Sequence, residues 1–275
     1  MNDTFIISIV TFIYFFAAFT YLISFIFNKK SVAVMALVLT GSGIAAQTAA
    51  IIIRWVHSYQ LGIGHAPLSN LYESITFFSW SIIFVYLLMT KRYKSNLIGA
   101  LANFFAFILL AFASLSEGIE CQIQPLIPAL QSNWLTIHVI SSFFAYACFA
   151  ISFGASILYI IKLRLRGSAI DILPEPKFLD EVIYKMISTG FILLTLGIIT
   201  GAAWADHAWG RYWGWDPKET WSLITWLIYA SFLHARLVGG WKGMRMSLIS
   251  IFGFAAVIFT YLGVNYILSG LHSYL

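Results

Sequence analysis

Long apolar runs free of charge dominate this chain, and most reach the roughly 20 residues that carry a helix across a bilayer. Eight runs stand out, at about 4–27, 31–53, 73–90, 95–115, 134–161, 182–203, 221–238 and 247–268. Lipid offers no partner to a bare N–H or C=O group, so a spanning segment must be a helix or part of a closed barrel. These runs are continuously apolar and do not alternate, which excludes the barrel. The expected fold is all-α, a polytopic bundle of about eight transmembrane helices. Composition agrees: the chain is 60% hydrophobic and only 10% charged, against about 25% charged in soluble domains. A soluble enzyme and a disordered chain are both excluded. The first run lacks a small-residue cleavage site, and its nearest lysines follow it, so it reads as a retained helix.

The net charge of +5 points to topology and not to nucleic acid. Thirteen cations, from Lys29 and Lys30 through Lys91, Lys162, Lys177 and Arg236 to Arg245, fall in alternate connections. Only Arg54, Arg211 and Lys218 fall in the others. The positive-inside rule makes the first set cytoplasmic. Both termini then face the outer, periplasmic or lumenal, side. The outer segments are 54–72, 116–133, 204–220 and the tail 269–275, and 162–181 is a polar cytoplasmic linker. Cys121 and Cys148 form no CxxC pair, which excludes a zinc ribbon and a thioredoxin-like redox motif. The GIITG spacing of Gly197 and Gly201 suits close helix packing.

Six of the ten tryptophans lie between Trp204 and Trp226. An aromatic belt at the membrane interface is the plain reading, but a belt spreads over many helix ends. Trp204, Trp209, Tyr212, Trp213, Trp215 and Trp221 crowd a single outer loop. Such a surface suits a large, planar, apolar ligand, with Arg211 and Lys218 available to its carboxylates. Asp206, Asp216 and Glu219 suit fixing the loop, and Pro217 suits starting the next helix. His138, near the outer end of the fifth run, and His272, in the outer tail, share that membrane face. Two neutral imidazoles can supply both axial ligands of a haem iron. His57, His65 and His207 compete for that role. His234 lies within the seventh run, after Trp226 and Ala230 at i−8 and i−4, which are expected to share one helix face with it. An ionisable group there is a candidate functional residue, with a bond to a backbone carbonyl or contact with headgroup water as the alternatives.

The segment WGRYWGWDPKETWSLITWLIYASFLHARL, 209–237, resembles the tryptophan-rich (WWD-type) signature of the haem-handling proteins of cytochrome c assembly. It is similar in particular to the CcsA/ResC branch, where the signature runs into Leu-His-x-Arg. PLSNLYES at 67–74, WLTIH at 134–138 and GLHSY at 270–274 are similar to that branch too. The resemblance divides the chain into N-terminal transmembrane helices, 1–66, and a haem-handling domain, 67–275, with its external loop at about 204–221. It implies that Trp209, Arg211, Tyr212, Trp213, Trp215, Asp216 and Trp221 help to hold haem b as transported cargo. It further implies that His138 and His272 ligate the iron outside and that His234 ligates it within the membrane. The implied partners are a CcsB/ResB-type membrane protein, apocytochrome c with its CxxCH motif and, indirectly, thiol-reducing proteins; nucleic acid is not among them.

The implied chemistry joins two apocytochrome thiols to two haem vinyl groups, as part of a cytochrome c synthase (haem lyase) complex. The chain shows no nucleophile–base pair, so haem placement is its contribution. Two readings compete: a CcmC-like haem-delivery protein without ligation, and a membrane b-type cytochrome that carries electrons. The implied location is the bacterial cytoplasmic membrane or the plastid thylakoid.

Overall fold

The computed structural model describes residues 3–116, 118–164 and 173–268. It contains α1 (Asp3–Phe27), α2 (Lys30–Gln60), α3 (Leu71–Thr90), α4 (Asn96–Leu115), α5 (Asn133–Arg164), α6 (Pro176–Trp209), α7 (Pro217–Leu237), α8 (Met244–Ile258) and α9 (Val264–Ile267). A π-helical turn, Phe259–Gly263, joins α8 to α9. No strand occurs among the described residues. Seven helical stretches, α1 to α6 and the continuous Met244–Ile267, are long and apolar enough to cross a membrane. The multi-pass helical expectation is met. The seventh expected span, now α7, falls outside that set; Lys218, Glu219, His234 and Arg236 interrupt its apolar sequence.

The chain forms two compact units, Met1–Gln131 and Ser132–Leu275. In the first, α1 packs on α2 and α4, and α3 packs on α4. Local sequence sets the helix ends. Asn70 caps α3 by accepting the Glu73 N–H at 2.8 Å, and Ser95 caps α4 through the Ile98 N–H. Each cap satisfies a donor that the first turn leaves without an intrahelical partner.

Arg54 corrects the sequence reading, which put it in an outer loop. The helix α2 continues to Gln60, and Arg54 is only 5% exposed. Its Nη1 donates to Asp3 Oδ2 at 2.9 Å and its Nε to Glu73 Oε1 at 2.8 Å. Glu73 Oε2 in turn accepts from the N–H and the hydroxyl of Ser69. The PLSNLYES segment is therefore built into the first unit by a buried ion triad. Charge stays inside because each ion is paired and hydrogen-bonded.

In the second unit, α5 and α6 form the principal pair, α8 packs on α5, and α7 packs on α8 and α6. At one end of this unit, Arg236 of α7 makes a two-pronged bond to Asp180 of α6, at 2.6 and 3.0 Å. Asp180 also accepts the Gly243 N–H at 2.9 Å. This clamp fixes the end of α7 that carries His234.

Replacing Arg54 with Met strands two buried carboxylates. It should lower unfolding stability in detergent micelles by about 3–5 kcal/mol. Adding Asp3→Asn and Glu73→Gln should restore most of that loss. Equal midpoints for Arg54→Met and the natural protein would remove the triad from the account of stability.

Candidate functional site

The tryptophan-rich segment is two helix ends joined by a short connection, not a long loop. The helix α6 runs on to Trp209 and α7 starts at Pro217, so only residues 210–216 intervene. The aromatic residues themselves favour neither state strongly, and tertiary packing extends α6 by six residues beyond its apolar run. Gly210 ends α6 in the left-handed region, φ 71°, with its N–H on the Asp206 carbonyl at 2.8 Å. This is a common C-terminal role for glycine.

At the other side of the connection, acidic residues fix the backbone as expected. The Asp216 carboxylate accepts the Lys218 N–H at 3.1 Å. Glu219 Oε2 accepts the N–H groups of Asp216 at 3.1 Å and Gly214 at 2.7 Å. Together they form a capping box, with Pro217 in the first turn, and the negative charges suit a helix N-terminus. Asp216 is buried and serves this cap. Between them Trp215 adopts φ 58°, an uncommon conformation for a bulky residue. It leaves the indole 68% exposed.

Beneath the connection lies a cleft of about 100 Å³. His138 and Tyr146 of α5, Gly201 and Trp204 of α6, Tyr212, Trp213, Lys218 and Glu219 all line it. The sequence scatters these groups over some 80 positions; antiparallel packing of α5 on α6 brings them together. His138 is half-buried, with Nδ1 2.7 Å from the Gly197 carbonyl oxygen. The carbonyl can only accept, so Nδ1 carries hydrogen, and in the neutral ring the lone pair is then on Nε2. Trp204 is buried and lies nearly parallel to the imidazole, with ring centroids 6.2 Å apart. It also meets Trp209 edge-on at 4.8 Å, and Trp213 meets Trp215 edge-on at 5.7 Å.

The cleft sorts the expected residues. His138, Tyr212 and Trp213 line it. Trp221 packs against Phe259 at 4.2 Å, and Arg211 folds over Gly214, where a Cβ would stand 2.7 Å from its guanidinium carbon. His272 lies outside the described residues. Among the competing histidines, His57 and His207 are exposed and do not line the cleft. His65 is buried in the first unit, its two ring nitrogens at the Ala66 and Gln124 carbonyls, 2.9 and 3.0 Å away. His234 is exposed on α7, whereas Trp226 turns inward and donates to the Thr195 hydroxyl. The expected common face fails because eight residues at 100° each leave an 80° offset.

Thr260 and Tyr146 are among the contributors that the sequence did not single out. Thr260 lines the cleft from the π-helical turn, a local irregularity frequent at functional sites. Its hydroxyl donates to the Ala256 carbonyl and also meets the Trp221 carbonyl. No sequence signal marks this turn. Tyr146 was hidden as one more aromatic residue in an apolar run.

Lys218 lines the cleft with a perturbed amine. Burial lowers its pKa from 10.5 to about 8, although Asp216 pulls the other way. Residues 68–272 match the cytochrome C assembly protein family. The cytochrome c biogenesis protein CcsA of Chlamydomonas reinhardtii is 42% identical over 256 residues, covering 91% of this chain and 71% of that one. CcsA of Chlorella vulgaris is 39% identical, covering 90% and 88%. CcsA of Synechococcus elongatus is 38% identical, covering 80% and 81%. Among solved structures, the cytochrome c heme lyase CcmF shares the fold with a TM-score of 0.70 at 17% identity. The match spans 95% of this chain and about half, 47%, of that longer one.

Lys218 should react with an amine-acylating reagent along a pH curve centred near 8, because only the neutral amine is nucleophilic. Peptide mass spectrometry across pH 6–11 would measure it. A midpoint near the ordinary 10.5 would contradict the desolvated setting.

Proposed function

This chain belongs to the cytochrome c assembly protein family, and from that premise we propose that it presents haem for covalent attachment to apocytochrome c. A role in maturing c-type cytochromes, with haem and apocytochrome as the molecules handled, follows from the family. The observation that carries the finer reading is the convergence of His138, with Nδ1 on a carbonyl, and the indoles of Trp204 and Trp213 on one cleft.

Haem is cargo here, not a resident cofactor. The cleft, at about 100 Å³, is smaller than the roughly 300–1,000 Å³ typical of small-molecule pockets. It therefore admits a porphyrin edge, while the remaining face rests against the exposed Tyr212 and Trp215. His138 offers Nε2 to the iron, and His272 of the tail supplies the opposite ligand. The Lys218 ammonium, inside the cleft, pairs with a carboxylate of the cargo more directly than Arg211, which lies over Gly214.

The reaction itself is an addition. Each cysteine S–H of the CxxCH motif adds across a vinyl C=C, sulfur to one carbon and hydrogen to the other, and forms a thioether. Nothing is oxidised or reduced in that step. Holding both reactants in register makes the encounter effectively unimolecular, and this is the chain's contribution. The CxxCH histidine then replaces one of the two imidazoles at the iron.

A second haem position lies at His234. Its imidazole is exposed on α7, two residues before Arg236 of the Arg236–Asp180 clamp, so the ligand is held at fixed depth on an open face. A CcsB/ResB-type partner covers that face and brings the second ligand. Haem b moves from there to the outer cleft. Most cations of α5 to α8 support this direction: Lys162, Lys177, Lys185, Arg236 and Arg245 collect at the Asp180 end, against Lys218 at the cleft. The membrane is a bacterial cytoplasmic membrane or a thylakoid.

Co-expression of the chain and its partner, without other assembly factors, should yield holocytochrome c. Haem captured without any thioether product would instead indicate delivery alone. His138→Ala should lower haem occupancy, and added imidazole should partly restore it. Trp213→Ala should loosen haem while the protein still inserts. Unchanged visible spectra in both variants would remove the cleft from haem binding.

A further inference from the structure

Two glycines of α6 meet the ring of His138. Its Nδ1 lies 2.7 Å from the carbonyl oxygen of Gly197. One turn further along α6, Gly201 faces the same ring. A Cβ at Gly201 would stand 2.6 Å from Nδ1 and 2.8 Å from Cε1, well inside van der Waals contact. At Gly197 a Cβ would stand 2.6 Å from the Ser142 hydroxyl oxygen, on the next turn of α5. The ring thus has a hydrogen-bond acceptor at one edge, the near-parallel indole of Trp204, and room that exists only because position 201 has no side chain.

We infer that Gly197 and Gly201 are positioning residues for His138: the carbonyl of the first selects the Nδ1–H form, and the bare backbone of the second lets the imidazole reach it. The consequence is a defined ring orientation with Nε2 as the basic nitrogen. The sequence alone marks these glycines only as a small-residue packing pair. The structure gives them a chemical task, since the partner on the far nitrogen of a ligating imidazole sets its tautomer and strengthens it as a donor. Losing such a partner typically costs about 10–100-fold in affinity for the metal. The role in iron binding rests on the reading of His138 as a haem ligand; the control of tautomer does not.

Two readouts separate those levels. In the haem-free protein in micelles, ring ¹⁵N shifts of labelled histidine should report the Nδ1–H form at His138. Gly201→Ala should shift His138 toward the Nε2–H form. In haem titrations Gly201→Ala should weaken binding about 10–100-fold, and imidazole should partly restore the spectrum. Added to His138→Ala, the same change should cause no further loss, because it acts through that ring.

An unchanged tautomer and affinity in Gly201→Ala would overturn the inference. So would an additive loss in the double variant, which would mark a packing role alone. If Gly201→Ala fails to fold, Nδ1-methylhistidine at position 138 removes the donor and keeps Nε2. It should show the same loss of haem affinity, and natural affinity would overturn the inference. If His138→Ala itself leaves haem affinity unchanged, the ligand reading fails, and the tautomer measurement still decides the positioning role.

Discussion

The close approach of α5 and α6 is the constraint on which the second unit depends. Gly190, Gly197 and Gly201 lie along one side of α6, over about 16 Å of helix at 1.5 Å per residue. A Cβ at these positions would meet Phe149, Ser142 and His138 respectively, each at 2.6 Å. Association of helices in lipid has little hydrophobic drive and relies on packing and hydrogen bonds. Missing side chains therefore matter more here than apolar ones. The same approach that joins the helices brings the Gly197 carbonyl to an imidazole, so packing and site chemistry share one contact.

The two ends of that unit are built from different materials. At the end of α6 and the start of α7, the connection is secured by carboxylates on backbone N–H groups, with the indole of Trp215 and the phenol of Tyr212 exposed. At the opposite end, Arg236 and Asp180 lock α7 to α6 in a half-buried, two-pronged pair. Such a pair is directional and holds register more firmly than apolar contact alone. A fixed α7 delivers both Lys218 in the cleft and His234 on the open face. The interaction that anchors one candidate haem position therefore also steadies the other.

The first unit uses a more costly device. Arg54, Asp3 and Glu73 are taken out of water together, and their stability lies in mutual pairing. That arrangement accounts for PLSNLYES without a ligand: Asn70 caps, Ser69 bonds Glu73, and Glu73 holds Arg54. It also explains why counting Arg54 as a loop cation misled the sequence reading. Charge counts assume a solvated side chain, and only the partners on α1 and α3 reveal a buried one.

Much was legible from the chain alone. Uncharged apolar runs dictate membrane helices, because lipid forces backbone groups to bond within the segment. The density of indoles at 204–226, and Pro217 with Asp216 and Glu219, announced an aromatic surface next to a helix start. Local chemistry determines each of these. Which indoles share a cleft was not local. Trp204 and Trp213 line it, Trp221 turns to Phe259, and Trp215 stays exposed beside Trp213 outside the lining, because those choices depend on which helix lies opposite. His234 left the expected face, since a helical period of 3.6 residues does not repeat over eight. The π-helical turn that presents Thr260 carries no sequence mark. The sequence thus determined the medium, the helices and the kinds of groups near the site. Tertiary packing alone decided which groups meet, because contacts between helices 60 positions apart are set by steric fit along α5 and α6.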